Sequence, residues 1–142
     1  DPMAMKPFCG YHFADYWQHW LNMGAKITQP PKIFQVNWFR RDEDGRFIWP
    51  GFGDNLRVLE WIVARCQGQA EAVDTPVGRV PTEQAIDIND LAQRPDMATL
   101  LAIDEAGWRE ELMAIEGFLS EYGQRVPDAL TQRLKAIKST VG

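Results

Sequence analysis

Residues 37–55, NWFRRDEDGRFIWPGFGDN, leave the backbone few options. A turn composition, Asp42-Glu43-Asp44-Gly45, interrupts any helix, and the Gly51-Phe52-Gly53 step lets the backbone reach angles closed to other residues. Before the turn, residues 32–39 read KIFQVNWF, rich in β-branched and aromatic side chains and preceded by Pro30-Pro31. This composition predicts a buried strand, and Arg46-Phe47-Ile48-Trp49 predicts a short return strand, so the segment is expected to form a β-hairpin.

Helical periodicity surrounds it. Phe13, Tyr16, Trp17, Trp20 and Leu21 recur at spacings of three and four, predicting a helix over 11–23 with Gly24 as its stop. Asp54 or Asn55 is placed to cap a helix over 56–66, with Leu59, Ile62, Val63 and Cys66 on one face. Trp17, Trp20, Leu59, Trp61 and Ile62 are the expected core. From 68 to 94 periodicity fades, and Thr75-Pro76-Val77-Gly78 with Val80-Pro81 predicts extended connecting chain. Asp104 is expected to cap a helix carrying Trp108, Leu112, Ile115 and Leu119, and Pro127-Asp128 to open a last one carrying Leu130, Leu134 and Ile137. The fold class is mixed α/β (α+β): helix, short hairpin, helix, irregular connection and C-terminal helices. The organisation is a motif-bearing part over 1–67, an extended connection over 68–95 and a helical tail over 96–142.

The 142 residues suit one domain, and 45% hydrophobic content can build a core. A net charge of -5 provides no basic footprint for a phosphate backbone, so nucleic acid is not an expected partner. Cys9 and Cys66 stand far apart without metal-ligand spacing and read as two reduced thiols. No apolar run approaches the roughly 20 residues that span a bilayer, so no membrane partner is expected and the protein reads as cytoplasmic. The start, DPMAMKP, has neither a basic nor an apolar signal region. Its two prolines and non-Met first residue read as a segment from inside a longer chain.

Phe52 is the clearest binding candidate in the hairpin region. A ring beside two glycines has no helix or strand face to hide on, and rings so placed can sandwich a flat heterocycle at about 1–3 kcal/mol per base. Asn55 adds an amide able to donate and accept at a base edge. An aromatic-rich hairpin is also a common way to build a core, and spacing alone leaves both readings open. Arg40, Arg41 and Arg46 adjoin Asp42, Glu43 and Asp44, which reads as a solvated charged turn without a ligand role. His12 and His19 stand seven apart rather than four, and Glu110, Glu111 and Glu116 follow an exposed helix face, so neither set reads as a metal or acid–base site. The chain contains no GxxxxGK[ST] loop, GxSxG elbow or HExxH motif.

The stretches DPMAMKPFCGY, PKIFQVNWFRRDEDGRFIWPGFGDN and LRVLEWIV closely resemble the C-terminal region of the GTP-dependent phosphoenolpyruvate carboxykinases. The resemblance runs through Thr75-Pro76-Val77-Gly78 and Val80-Pro81, and persists only as helical character after Leu91. It implies part of a nucleotide-binding domain in an enzyme of gluconeogenesis, a lyase and decarboxylase that converts oxaloacetate and GTP to phosphoenolpyruvate, carbon dioxide and GDP. It implies Mn²⁺ and nucleotide-bound Mg²⁺ as cofactors, with their ligands, the phosphate loop and the substrate arginines outside this chain. It places guanine between Phe39 and Phe52, with Trp38 and Phe47 beside them and the base edge against Phe52-Gly53-Asp54-Asn55. Asp54 stands where many members have Glu, and Cys9 where many have Phe. Phe8 is implied to lie near the carboxylate of oxaloacetate or phosphoenolpyruvate. The whole enzyme is expected to be a monomer, and this chain alone to be inactive and prone to self-association through uncovered core surface. The alternative is a non-catalytic interaction module that docks a peptide, a single-stranded base or another subunit on its aromatic surface.

Overall fold

Aromatic residues four apart on a helix share a face, and Phe13 and Trp17 use this to start the first of two compact units. The computed structural model describes residues 5–141. One unit joins 5–31 with 104–141, and the other is formed by 32–103. These units cut across the sequential division at 67 and 95.

In the first unit, α1 (Phe13–Lys26) begins where His12 Nδ1 accepts from the Ala14 amide at 3.3 Å. Phe13, Ala14 and Trp17 are buried with Val126, and Phe118 and Tyr122 pack around them. The Trp17 and Tyr122 rings meet edge-on at 4.8 Å. Two expectations for α1 are corrected. The helix runs through Gly24 to Lys26, because an exposed glycine costs a helix only about 1 kcal/mol. Trp20 is exposed rather than buried: it shares the helix face of Phe13 but stands about a turn beyond Trp17, outside the cluster those rings build with Val126, and its ring contact is an edge contact with Tyr16 at 5.9 Å.

The C-terminal helices follow their caps. Asp104 Oδ1 accepts from the Gly107 amide at 3.1 Å and opens a helix at Glu105–Ser120, designated α4 below. After Pro127, the last helix, α5, occupies Asp128–Val141. Leu112 of the former and Leu134 and Val141 of the latter are buried, and Lys138 reaches Glu116 at 2.7 Å across the pair.

In the second unit, α2 (Asn55–Gln67) ends at Gly68, whose φ of 75° is the left-handed value that favours glycine at a helix end. Its period matches the sequence reading but its phase does not. Trp61 is buried and Val58 and Ile62 are half-buried, whereas Leu59, Val63 and Cys66 are exposed. The indole is the largest apolar group on the helix, and it turns inward against Trp49, Ile86 and Met97 to make this unit's core. Residues 31–37 adopt no regular element and join no ladder, so the expected buried strand is absent among the described residues. The hairpin survives only near its turn. Asp42 and Ile48 donate to the Arg46 and Arg40 carbonyls at 2.9 and 3.0 Å, around one bridge between Arg41 and Phe47. The regular sheet forms where plain connection was expected: β1 (Val73–Thr75) and β2 (Gly78–Val80) pair antiparallel, Val73 opposite Val80, with Pro76 and Val77 in the turn. α3 (Met97–Leu101) follows, capped by Asp96 Oδ1 accepting from the Thr99 amide at 3.1 Å.

Candidate functional site

In the second unit, residues 38–55 and 93–99 face each other across an open cleft of about 1050 Å³. The five rings of the motif divide between two tasks. Trp49, 4% exposed, joins the core, and Trp38 packs half-buried against the same cluster while still lining the cleft. Phe39, Phe47 and Phe52 are 70%, 52% and 93% exposed and all three line the cleft. Rings this exposed offer apolar surface to a flat partner, Phe52 most of all.

The ring positions are fixed from behind. Phe39 and Phe47 meet edge-on with centroids 6.0 Å apart at 64°, and the Arg41 guanidinium lies 4.1 Å above the Phe47 ring. Phe52 makes no ring–ring contact among the described residues, leaving both its faces toward solvent. It begins a 3-10 turn, Phe52–Asp54, entered through Gly51 at φ 130°, an angle that only glycine adopts freely.

Asn55 also lines the cleft. Its Oδ1 accepts from Trp49 Nε1 at 2.9 Å, so the amide oxygen is engaged and the Nδ2 donors are what it can offer to a ligand. Neither Asp54 nor Asn55 caps α2 with its side chain, contrary to expectation. Asp54 points its carboxylate to Arg57 Nε at 3.1 Å. Gly53 and Asp54 do not line the cleft.

The charges on the rim are largely spoken for. Arg46 pairs with Asp42 at 3.2 Å and with Asp44, in keeping with a solvated turn. The Arg46 backbone N–H, followed by its side chain, holds the Asp42 carboxyl below its ordinary range. Asp96 is lowered likewise, chiefly by the Thr99 hydroxyl donating at 2.6 Å. Arg94 donates to the Asn89 carbonyl at 2.7 Å. Arg40 leaves the turn altogether and donates to the Leu100 and Ala102 carbonyls at 2.9 and 2.8 Å, tying the chain beside Phe39 to the end of α3. The cleft therefore suits a neutral ring with an acceptor edge better than a phosphate chain.

Sequence reading missed the wall formed by Gln93, Arg94, Pro95, Asp96 and Thr99, because no local pattern links it to the motif. The Asp54–Arg57 spacing of three was a readable signal for their pair. Phe8 lies in the other unit, in the 3-10 turn Lys6–Phe8, and its ring is almost wholly exposed. Among the described residues no three His, Cys, Asp or Glu side chains gather to hold a metal ion. No described helix is long and apolar enough to cross a membrane.

The cleft brings three exposed rings and an amide donor together, an arrangement whose chemistry can accept a planar heterocycle. The family described as phosphoenolpyruvate carboxykinase C-terminal P-loop domain matches residues 1–140, and the chain belongs to that family. It is 47% identical over its full length to the phosphoenolpyruvate carboxykinase [GTP] of Paenarthrobacter aurescens, covering 24% of that protein. It is also 47% identical over 99% of its length to the mitochondrial phosphoenolpyruvate carboxykinase [GTP] of Mus musculus, covering 22%. The Thermoplasma volcanium phosphoenolpyruvate carboxykinase [GTP] is 44% identical over the full chain, with 24% of that protein covered. The chain thus spans about a quarter of the length of the curated relatives it matches.

Proposed function

We propose that this chain is the guanine-binding part of a GTP-dependent phosphoenolpyruvate carboxykinase, an enzyme that converts oxaloacetate and GTP to phosphoenolpyruvate, carbon dioxide and GDP. The observation that carries the reading is the exposure of Phe39, Phe47 and Phe52 around one cleft whose floor presents the Asn55 amide. The base stacks between Phe39 and Phe52, with Trp38 and Phe47 beside it. The carbonyl edge of guanine takes the Asn55 Nδ2 donors, which adenine would meet with an amine. Asp54, by contrast, turns its carboxylate away to Arg57, and its part in the base site is to hold the turn.

The chemistry asked of this chain is positioning. Holding the base fixes where the γ-phosphoryl group of GTP arrives, and phosphoryl transfer depends mainly on such positioning and on charge neutralisation. Those neutralising groups, Mn²⁺ and Mg²⁺ included, belong to the rest of the enzyme. Phe8, with its exposed ring, is proposed to meet the substrate carboxylate through the positive ring edge. The enzyme works in the cytoplasm as a monomer, and the uncovered apolar side chains of this chain favour self-association when it is isolated.

The test is titration of GDP and ADP against the intact protein and its Phe52→Ala and Asn55→Ala forms. Loss of GDP affinity with Phe52→Ala, and loss of preference over ADP with Asn55→Ala, are expected. Unchanged GDP binding by both variants, with folding intact, would place the base elsewhere.

A further inference from the structure

Arg57 breaks two local rules at once. It occupies the first turn of α2, where the helix dipole disfavours a cation, and it draws the carboxylate of Asp54, the residue at the N-cap position, away from the backbone amides it would normally cap. Both costs are offset by one array of contacts. Nε donates to Asp54 Oδ1 at 3.1 Å, and one terminal nitrogen donates to the Asp87 carbonyl at 2.8 Å. The two terminal nitrogens also grip Asp90 as a fork, at 2.7 and 3.0 Å. The Arg57 and Asp54 side chains are 22% and 26% exposed, so solvent screens their pair less than an ordinary surface pair, while Asp90 holds the fork from the surface at 73%. The guanidinium joins two loops more than thirty residues apart in sequence.

One of those loops is the Phe52–Asp54 turn. Phe52 cannot anchor it, because the ring buries almost nothing, and Gly51 and Gly53 on either side add freedom rather than order. We propose that Arg57 is a positioning residue for nucleotide selection: by clamping Asp54 to the 87–90 loop it holds the Phe52 ring and the Asn55 amide at the spacing a guanine ring requires. The inference rests on the guanine reading above and adds a residue that does not touch the cleft. Arg57 stands behind the turn, and its effect reaches the base only through Asp54 and the start of α2. Lysine is not equivalent here, since one ammonium cannot span Asp54 and Asp90 with a fork.

The experiment compares Arg57→Gln, Arg57→Lys and Phe52→Ala in the intact protein. Dissociation constants for GDP and ADP are measured together with hydrogen exchange of the backbone amides at 51–55. Arg57→Gln is expected to weaken GDP binding about tenfold, to leave the weaker ADP binding nearly unchanged and to raise exchange in the turn, with Arg57→Lys intermediate. A general loss of folding would lower both affinities and raise exchange across α2 as well, and that pattern overturns the positioning role. Unchanged GDP affinity in Arg57→Gln, while Phe52→Ala loses it, overturns the role of Arg57 and leaves the guanine site standing. Unchanged GDP affinity in all three variants removes the guanine reading and this inference with it.

Discussion

Trp49 Nε1 donates to Asn55 Oδ1 at 2.9 Å, joining a ring of the buried core to an amide of the cleft. The bond settles which half of the amide faces a ligand, and it separates two substitutions that would otherwise look alike. Asn55→Asp keeps an acceptor for the indole and replaces the free donors with a carboxylate oxygen. Its stability should stay close to that of the parent, while nucleotide preference shifts from GDP toward ADP, because guanine presents a carbonyl where adenine presents an amine. Asn55→Ala instead strands a buried N–H and should lose about 1–3 kcal/mol of stability besides its selectivity. Chemical denaturation and paired GDP and ADP titrations check both. A stable Asn55→Ala variant would mean that the indole finds another acceptor.

Phe52 offers the cleanest separation of binding from folding. At 93% exposure the ring contributes almost nothing to the core, so Phe52→Ala should leave the denaturation midpoint within the range of ordinary surface changes. Removing one stacking face should cost about 1–3 kcal/mol in GDP binding. Calorimetric titration against the intact protein reads the second quantity. A large stability loss would show that the turn packs more tightly than its exposure indicates.

Much of this fold was legible where a side chain states its own local business. Asp104 and Pro127 marked the C-terminal helices correctly, and the 42–45 turn reversed the chain where its composition required. Two local signals misled, Gly24 as a stop and Asp54 as a side-chain cap, and the larger failures were decided by partners distant in sequence. The strand expected over 32–39 depended on a neighbour to pair with, and α2 had two apolar faces between which packing against Trp49, Ile86 and Met97 chose. The aromatic wall of the cleft could be read from the sequence, whereas its opposite wall at 93–99 could not. Arg40 shows the same limit: its neighbours suggested a solvated turn, yet its partners are the carbonyls of Leu100 and Ala102.

Three carboxylates should make the second unit sensitive to acid. Asp90, held by Arg57, Asp96, held by Thr99, and Asp42, held by the Arg46 backbone, all lie below the ordinary carboxylate range. A depressed folded-state value means the stabilisation is complete above about pH 4, the value for a free Asp, and is lost as pH falls through the folded values. Arginine keeps its charge throughout this window. Thermal unfolding of the chain should therefore show a falling midpoint below about pH 4. Asp90→Asn should flatten the slope, since it removes one of the titrating groups, while lowering the midpoint at neutral pH. A variant curve parallel to the parent curve would show that Asp90 adds nothing to the acid transition.

The phase of α2 can be tested without any ligand. Trp61 is buried against Trp49, Ile86 and Met97, and its Nε1 donates to the Glu71 carbonyl at 3.3 Å. Leu59 sits two residues earlier, toward the opposite side of the helix, and is exposed. In this chain Trp61→Ala should therefore cost about 3–5 kcal/mol through loss of a large buried ring, enough to unfold a domain of ordinary stability. Leu59→Ala removes a side chain that is about half exposed, at 46%, and should cost clearly less than Trp61→Ala. Trp61→Phe keeps most of the apolar bulk while giving up the indole bond, so it should fall between them and remain folded. Denaturant melts of the three variants read the ranking directly. If Leu59→Ala were the most damaging of the three, α2 would have to be turned so that Leu59, Val63 and Cys66 face the core, as the sequence pattern alone suggested.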